Sequence, residues 1–128
     1  MGIDRKDKIG RMMAMGRNFD FFGAPVGIIF TVHERMEKPQ WSDIGMFIQT
    51  VMLLAREYGL HTCSQEAWGQ WPDSVSEVCG IPKSEIVFAG LAIGKARPDM
   101  PVNHLKTSRV SLEEVATFTG FTPRGARL

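Results

Sequence analysis

Gly59-Leu-His-Thr-Cys-Ser-Gln-Glu-Ala-Trp68 is the stretch that decides how this chain is read. It follows the most strongly helical segment, Pro39–Tyr58, where Trp41, Ile44, Ile48, Val51, Met52 and Ala55 recur at helical spacing. Pro39 suits the first turn, where its missing N–H costs nothing. Asp43 lies near the positive end of the helix and Arg56 near the negative end. Gly59 is a C′ residue, free to take the left-handed conformation that ends a helix. Met46, Phe47, Leu53 and Leu54 widen the apolar surface almost all round. Such a helix is buried in a core or in an oligomer interface. A chain of 128 residues has little else to surround it, so the pattern implies a partner subunit or further sequence.

Outward from that helix, Val26-Gly-Ile-Ile-Phe-Thr-Val32 is a continuous apolar, β-branched run, as in a strand covered on both faces. Pro25 forces an extended approach to it. The first eighteen residues read as a helix with Ile9, Met12, Met13 and Gly16 on one side. After the opening stretch, 72–80 reads as a short helix capped by Asp73 and closed by Gly80. Residues 85–94 read as a second buried strand, and Pro98 and Pro101 mark a loop. Ser111-Leu-Glu-Glu114 is a capping box that starts a last helix. Residues 119–128, with Gly120, Pro123 and Gly125, read as a tail. The expected organisation is a single domain over 1–128.

Composition narrows the function classes. Hydrophobic content is 44%, charged content 23% and net charge +1, an ordinary globular balance. The basic residues are scattered, so no electrostatic argument favours nucleic acid or an anionic membrane. The most apolar run, 44–55, is too short to span a bilayer and contains Gln49 and Thr50. No secretory signal pattern opens the chain. Two cysteines, Cys63 and Cys79, are too few for a disulfide framework, and the cytosol is the expected compartment. His33, His61 and His104 lack metal-ligand spacing. Gly80, Gly90 and Gly94 do not make a dinucleotide-binding fingerprint. Cys63 has no assignable His–Asp or His–Asn pair, and inert buried cysteine is the commoner case.

The order and content of 59–68 and of Asn103-His-Leu-Lys-Thr-Ser-Arg109 resemble the nitroreductase family of FMN-dependent NAD(P)H oxidoreductases, in its nitrobenzoate-reductase-like branch. Supporting stretches are Arg17-Asn-Phe-Asp-Phe-Phe-Gly-Ala-Pro-Val26, Trp41-Ser-Asp-Ile-Gly-Met46, Ile93-Gly94 and Pro101-Val-Asn103. The resemblance runs from about Asp4 to Phe121. It implies an α+β fold with a small, mainly antiparallel sheet surrounded by helices and a long central helix. It further implies a homodimer, with FMN at the subunit interface, NAD(P)H as transient electron donor and a small-molecule acceptor such as a nitroaromatic or quinone, in ping-pong order.

By the same resemblance, Ser64, Gln65, Glu66 and Ala67 form a loop along the isoalloxazine, with a backbone N–H near Glu66 facing N5. A flavin carries its own redox chemistry, and the protein supplies a flat slot, a donor near N5 and anchors for the phosphate. Read without the resemblance, the same stretch is a helix–loop–helix junction around a buried Trp68. Trp68, with Trp71, either walls a substrate pocket or belongs to the core. Arg109 matches the family's phosphate anchor, a role its guanidinium fork suits, and Lys106 is a second candidate. Where some relatives carry another basic residue, this chain has Thr107. Read as a solvated loop, the segment needs no ligand.

The family's N-terminal Arg-x-Ser-x-Arg-type motif and an asparagine-containing segment near the ring have no match in this sequence. The chain resembles the C-terminal half to two-thirds of a family member. Each missing charge-assisted bond to the phosphate costs ~1.5–3 kcal/mol of flavin affinity. Two alternatives to the reductase therefore stand: a flavin-free, dimerising fragment, and a flavoenzyme of the same fold with other chemistry such as reductive dehalogenation.

Overall fold

A computed structural model describes residues 2–120. The final residues of the expected tail, with Pro123 and Gly125, and the expected limit of the resemblance at Phe121, lie outside them. The described elements are α1 (Lys8–Gly16), β1 (Val26–His33), α2 (Lys38–Glu57), β2 (His61–Gln65), α3 (Pro72–Cys79), β3 (Glu85–Gly94) and α4 (Leu112–Val115). Short 3-10 turns cover Arg17–Gly23, Glu66–Gln70 and Pro101–His104.

The three strands form one antiparallel sheet in the order β1-β3-β2. The α+β architecture expected from the sequence is the one observed. β3 lies in the middle because it is the strand with least polar content, and it carries the deepest side chain, Leu91, at 0% exposure. The register sets Val26 against Ile93 on one side and Thr62 against the same residue on the other. A bulge falls between Phe30 and Thr31.

The two faces of the sheet are covered differently. On one, Phe30, Ala89 and Leu91 pack with Ile48 of α2, joined by Ile44, Val51 and Met52. On the other, Phe21 lies over Gly27 and Trp68 over Gly90, so closely that a β-carbon at either glycine would strike the ring. Glycine is required at both positions because an aromatic ring sits where its side chain would be.

Sequence expectation and structure differ in four places. The first helix spans Lys8–Gly16 and not the first eighteen residues, since Asp7 caps it by accepting from the Gly10 N–H at 2.8 Å. β1 is an edge strand, with Val26 49% exposed, and is not covered along its whole length. Residues 61–65, expected within a loop, form β2. α3 is capped at Trp71 without a side-chain bond, and Asp73 lies inside its first turn. Gly80 does close α3 in the left-handed conformation, at φ 66°.

α2 is one of the elements best foreseen. Glu37 and Gln40 form a capping box at its start, with the Glu37 N–H donating to Gln40 Oε1 at 3.1 Å. At its end Gly59 has φ 68°, and the Leu60 N–H reaches back to the Ala55 carbonyl at 2.9 Å. Ile48 and Ala55 are buried, while Met46, Phe47, Leu53 and Leu54 are all more than half exposed. The apolar surface that the sequence placed nearly all round is thus satisfied within this chain on one side only.

Candidate functional site

The stretch after Gly59 runs along the edge of the sheet and then turns. As β2 it pairs Ser64 with Leu91 and Gln65 with Gly90. At Glu66 the backbone leaves the ladder for the Glu66–Gln70 turn. Alternation along the strand and turn exposes Ser64 and Glu66 and buries Gln65 and Ala67, at 2% and 8% exposure.

Gln65 is tied on both ends of its amide. Its Nε2 donates to the Asn18 carbonyl at 2.8 Å and to Asn18 Oδ1 at 3.3 Å. Its Oε1 accepts from the Trp68 indole N–H at 3.4 Å. Of the four ring-loop residues, Gln65 and Ala67 therefore turn inward, and only Ser64 and Glu66 present exposed side chains. The sequence pattern held no signal for the Asn18 partner, which lies in a separate segment.

Trp68 is half-buried and serves two surfaces. It stacks on Phe21 at 4.6 Å between ring centroids and meets Phe19 edge-on at 5.4 Å. It also lines an open, almost wholly apolar cleft of about 480 Å³ with Phe19, Trp71, Val75, Val78 and Cys79. One side of the ring thus meets Phe19 and Phe21, and another borders the cleft. Phe19 belongs to this wall; the sequence marked it only as part of the Arg17–Val26 stretch, with no role of its own.

The segment holding Phe19 and Phe21 is strained. Phe21 and Phe22 have φ of 51° and 56°, a left-handed region that bulky side chains avoid. Strain of this kind costs of order 1–3 kcal/mol per residue and persists only where the surroundings enforce it. Here the enforcement comes from the Phe21–Trp68 stack, the close approach to Gly27 and the Asn18–Gln65 bonds.

Lys106 and Arg109 occupy an exposed segment between the Pro101–His104 turn and α4. The Arg109 Nη1 donates to Thr107 Oγ1, to the Thr107 carbonyl at 3.3 Å and to the Ser108 carbonyl at 3.1 Å. All of these partners are near neighbours in its own segment. Thr107, at the position where a second basic residue was sought, thus acts as an acceptor for Arg109. Among the described residues, the side-chain hydrogen bonds of Arg109 do not reach Ser64–Trp68. The Ser111 capping box forms as expected, with the Ser111 N–H donating to Glu114 Oε1 at 3.3 Å, but α4 lasts only one turn.

Nucleophilic chemistry at Cys63 gains no support. Partial burial pushes its thiol pKa up, away from the reactive thiolate. Among the described residues, no group of three or more His, Cys, Asp or Glu converges as a metal site would require. No helix among them is long and apolar enough to cross a membrane.

A three-stranded antiparallel sheet, one long helix across its face and an aromatic-walled turn at the edge define an α+β protein of nitroreductase type. A model of the nitroreductase family matches residues 3–95. The chain belongs to the nitroreductase family. It is 39% identical over 93% of its length to 4-nitrobenzoate reductase of Pseudomonas putida, covering 52% of that protein. It is 40% identical over 91% of its length to chloronitrobenzene nitroreductase of Comamonas testosteroni, again covering 52%. Among solved structures it resembles the FMN and NADPH-dependent nitroreductase NfnB of a Sphigopyxis strain, with a TM-score of 0.90 and 43% identity. That match takes in 94% of this chain and 54% of the other. The chain spans about half the length of the curated relatives it matches.

Proposed function

We propose that this chain is part of an FMN-dependent nitroreductase and supplies one wall of its flavin site. The observation that carries the reading is the turn at the end of β2, where exposed Ser64 and Glu66 border a fixed backbone beside an apolar, aromatic-lined cleft. These residues fit FMN: the cleft suits a flat heterocycle, and Arg109 and Lys106 are basic groups suited to a phosphate. When bound, the flavin supplies the redox chemistry, taking a hydride from NAD(P)H and passing electrons to a nitroaromatic, quinone or similar acceptor in ping-pong order.

The chain's own part is to bind and orient. A backbone N–H near Glu66 would supply the N5 side of the ring with a donor that cannot titrate. Trp68 shapes the pocket where the acceptor stacks. Arg109, with Lys106 as the weaker partner, holds the phosphate. The exposed apolar side of α2 is covered by a second subunit in a homodimer, and 1–128 acts as a single domain in the cytoplasm. The nitroaromatic substrates in the names of the relatives above support the substrate class.

The flavin-free alternative keeps one specific support, the self-contained hydrogen bonding of Arg109. Titrating the purified protein into FMN while following flavin fluorescence separates the two. Quenching, and NAD(P)H oxidation in the presence of a nitroaromatic, is the expected result. A colourless protein that leaves the fluorescence of added FMN unchanged would sink the reductase reading for this chain.

A further inference from the structure

The geometry points to Gln65 as a positioning residue that sets the backbone of the ring-facing turn through its buried side-chain amide, whose bonds are all made within the protein. This rests on the flavin reading above for its functional consequence, but its structural content stands on three observations.

First, among the described residues Gln65 is the only buried polar one, at 2% exposure, in an otherwise apolar set. A buried amide left unbonded is costly, so its hydrogen bonds dictate where it sits. Second, those bonds leave in opposite directions. Nε2 holds Asn18 of the strained Arg17–Gly23 segment, and Oε1 accepts from Trp68 on the turn itself. Third, Phe21 of the strained segment stacks on the same Trp68. Gln65, Asn18, Phe21 and Trp68 therefore form a closed circuit around the turn. Glu66 and Ala67 are the residues inside it, between Gln65 and Trp68.

A strand end released from such a circuit would fray, because Gln65 is the last residue of β2 to pair with β3. The neighbouring side chains do not substitute for it. Ser64 and Glu66 are exposed, and Ala67 has no polar side-chain atom. Gln65 thus converts a sheet edge into a surface of fixed backbone, and it ties the Trp68 wall of the cleft to the same fixed point.

The test compares the wild type with Gln65→Met, which keeps the length of the side chain and removes all three hydrogen bonds. Amide hydrogen exchange is measured without flavin. Exchange at Glu66, Ala67 and Trp68 is expected to accelerate by at least about tenfold, with amides of Ile86 and Val87, which pair with β1 and not with β2, unchanged. Unchanged exchange at the turn, or an equal rise throughout β3, would overturn the proposal, since the second pattern belongs to a residue that only stabilises the fold.

Asn18→Ala is the second variant, in case Gln65→Met does not fold. It removes one acceptor and leaves the carbonyl, so a smaller acceleration confined to the same amides is expected, and none would count against the proposal. FMN is then added to each protein and the midpoint potential of the bound flavin is measured by spectroelectrochemistry. A displaced potential in Gln65→Met supports the link to the flavin, and an identical one refutes it. Should the wild type bind no FMN, the flavin reading falls, while the exchange data still decide whether Gln65 positions the turn.

Discussion

Gln65 and Ala67, at the end of β2, are 2% and 8% exposed, whereas Lys106 and Arg109, in the segment before α4, are exposed throughout. Both belong to the proposed flavin site, yet they are built in opposite ways. The first half is fixed by the central strand, by an aromatic stack and by a buried amide. In the second half, the side-chain hydrogen bonds of Arg109 among the described residues all go to Thr107 and Ser108. A rigid wall suits the part of a site that must meet a flat ring at a set height. An exposed arginine suits a phosphate, which accepts hydrogen bonds from many directions. The contrast teaches that the ring-facing half is inseparable from the fold, while the basic half can change with little effect on folding.

The sharpest way to break that contrast is to weaken the strand beneath the ring-facing half. Leu91 is fully buried between α2 and the sheet. Leu91→Ala is expected to cost about 3–5 kcal/mol, the transfer term plus the cavity left behind. Urea denaturation measures this directly. A loss below about 1 kcal/mol would mean that β3 is not the centre of the core.

The basic half should behave in the reverse way. Arg109→Ala is expected to weaken FMN binding by about tenfold or more, the factor for one charge-assisted bond worth ~1.5–3 kcal/mol. Its urea midpoint should stay where it is in the wild type. Lys106→Ala should show a smaller loss of affinity. An Arg109→Ala protein that loses stability and keeps its affinity would invert the comparison.

Gly90 probes the boundary between strand and turn. A methyl group there meets the Trp68 indole, so Gly90→Ala should displace the ring and cost about 1–3 kcal/mol by overpacking. Tryptophan fluorescence should shift with it. Gly69→Ala is the matched control, because a β-carbon there meets the Val87 and Phe88 carbonyls at an ordinary 3.6 and 3.9 Å. Equal effects at the two positions would show that the Trp68 contact does not matter.

How much of this was legible in the sequence depended on whether the signal was local. α2 was legible because its start, its period and its glycine stop are all written within one continuous segment. The capping box at Ser111 was legible for the same reason. β2 was not. His61-Thr-Cys-Ser-Gln65 is short and polar, with no apolar alternation, and it is a strand only because β3 offers it an edge. The inward turn of Gln65 was hidden likewise, because its partner Asn18 is remote in sequence. The resemblance named candidate residues for the site, but the hydrogen-bond and ring partners of Gln65 and Phe19 emerge only from three-dimensional neighbours.

The smallest expected effect concerns the loop that leads into the basic half. Arg97 and Asp99 form an exposed ion pair at 2.5 Å. The Arg97 hydrogen bond lowers the Asp99 carboxyl pKa below its ordinary value, assisted by a backbone bond. A carboxyl depressed in the folded state contributes stability above its unfolded pKa and loses it as pH falls through the folded value. The pair is open to solvent on all sides, and such pairs contribute little because water and salt screen them. Asp99→Asn should therefore leave the urea midpoint unchanged at neutral pH and leave its acid dependence unaltered. A clear loss confined to neutral pH would show that the 97–104 loop is held more firmly than its exposure implies. The basic segment beyond it would then share the rigidity of the ring-facing half.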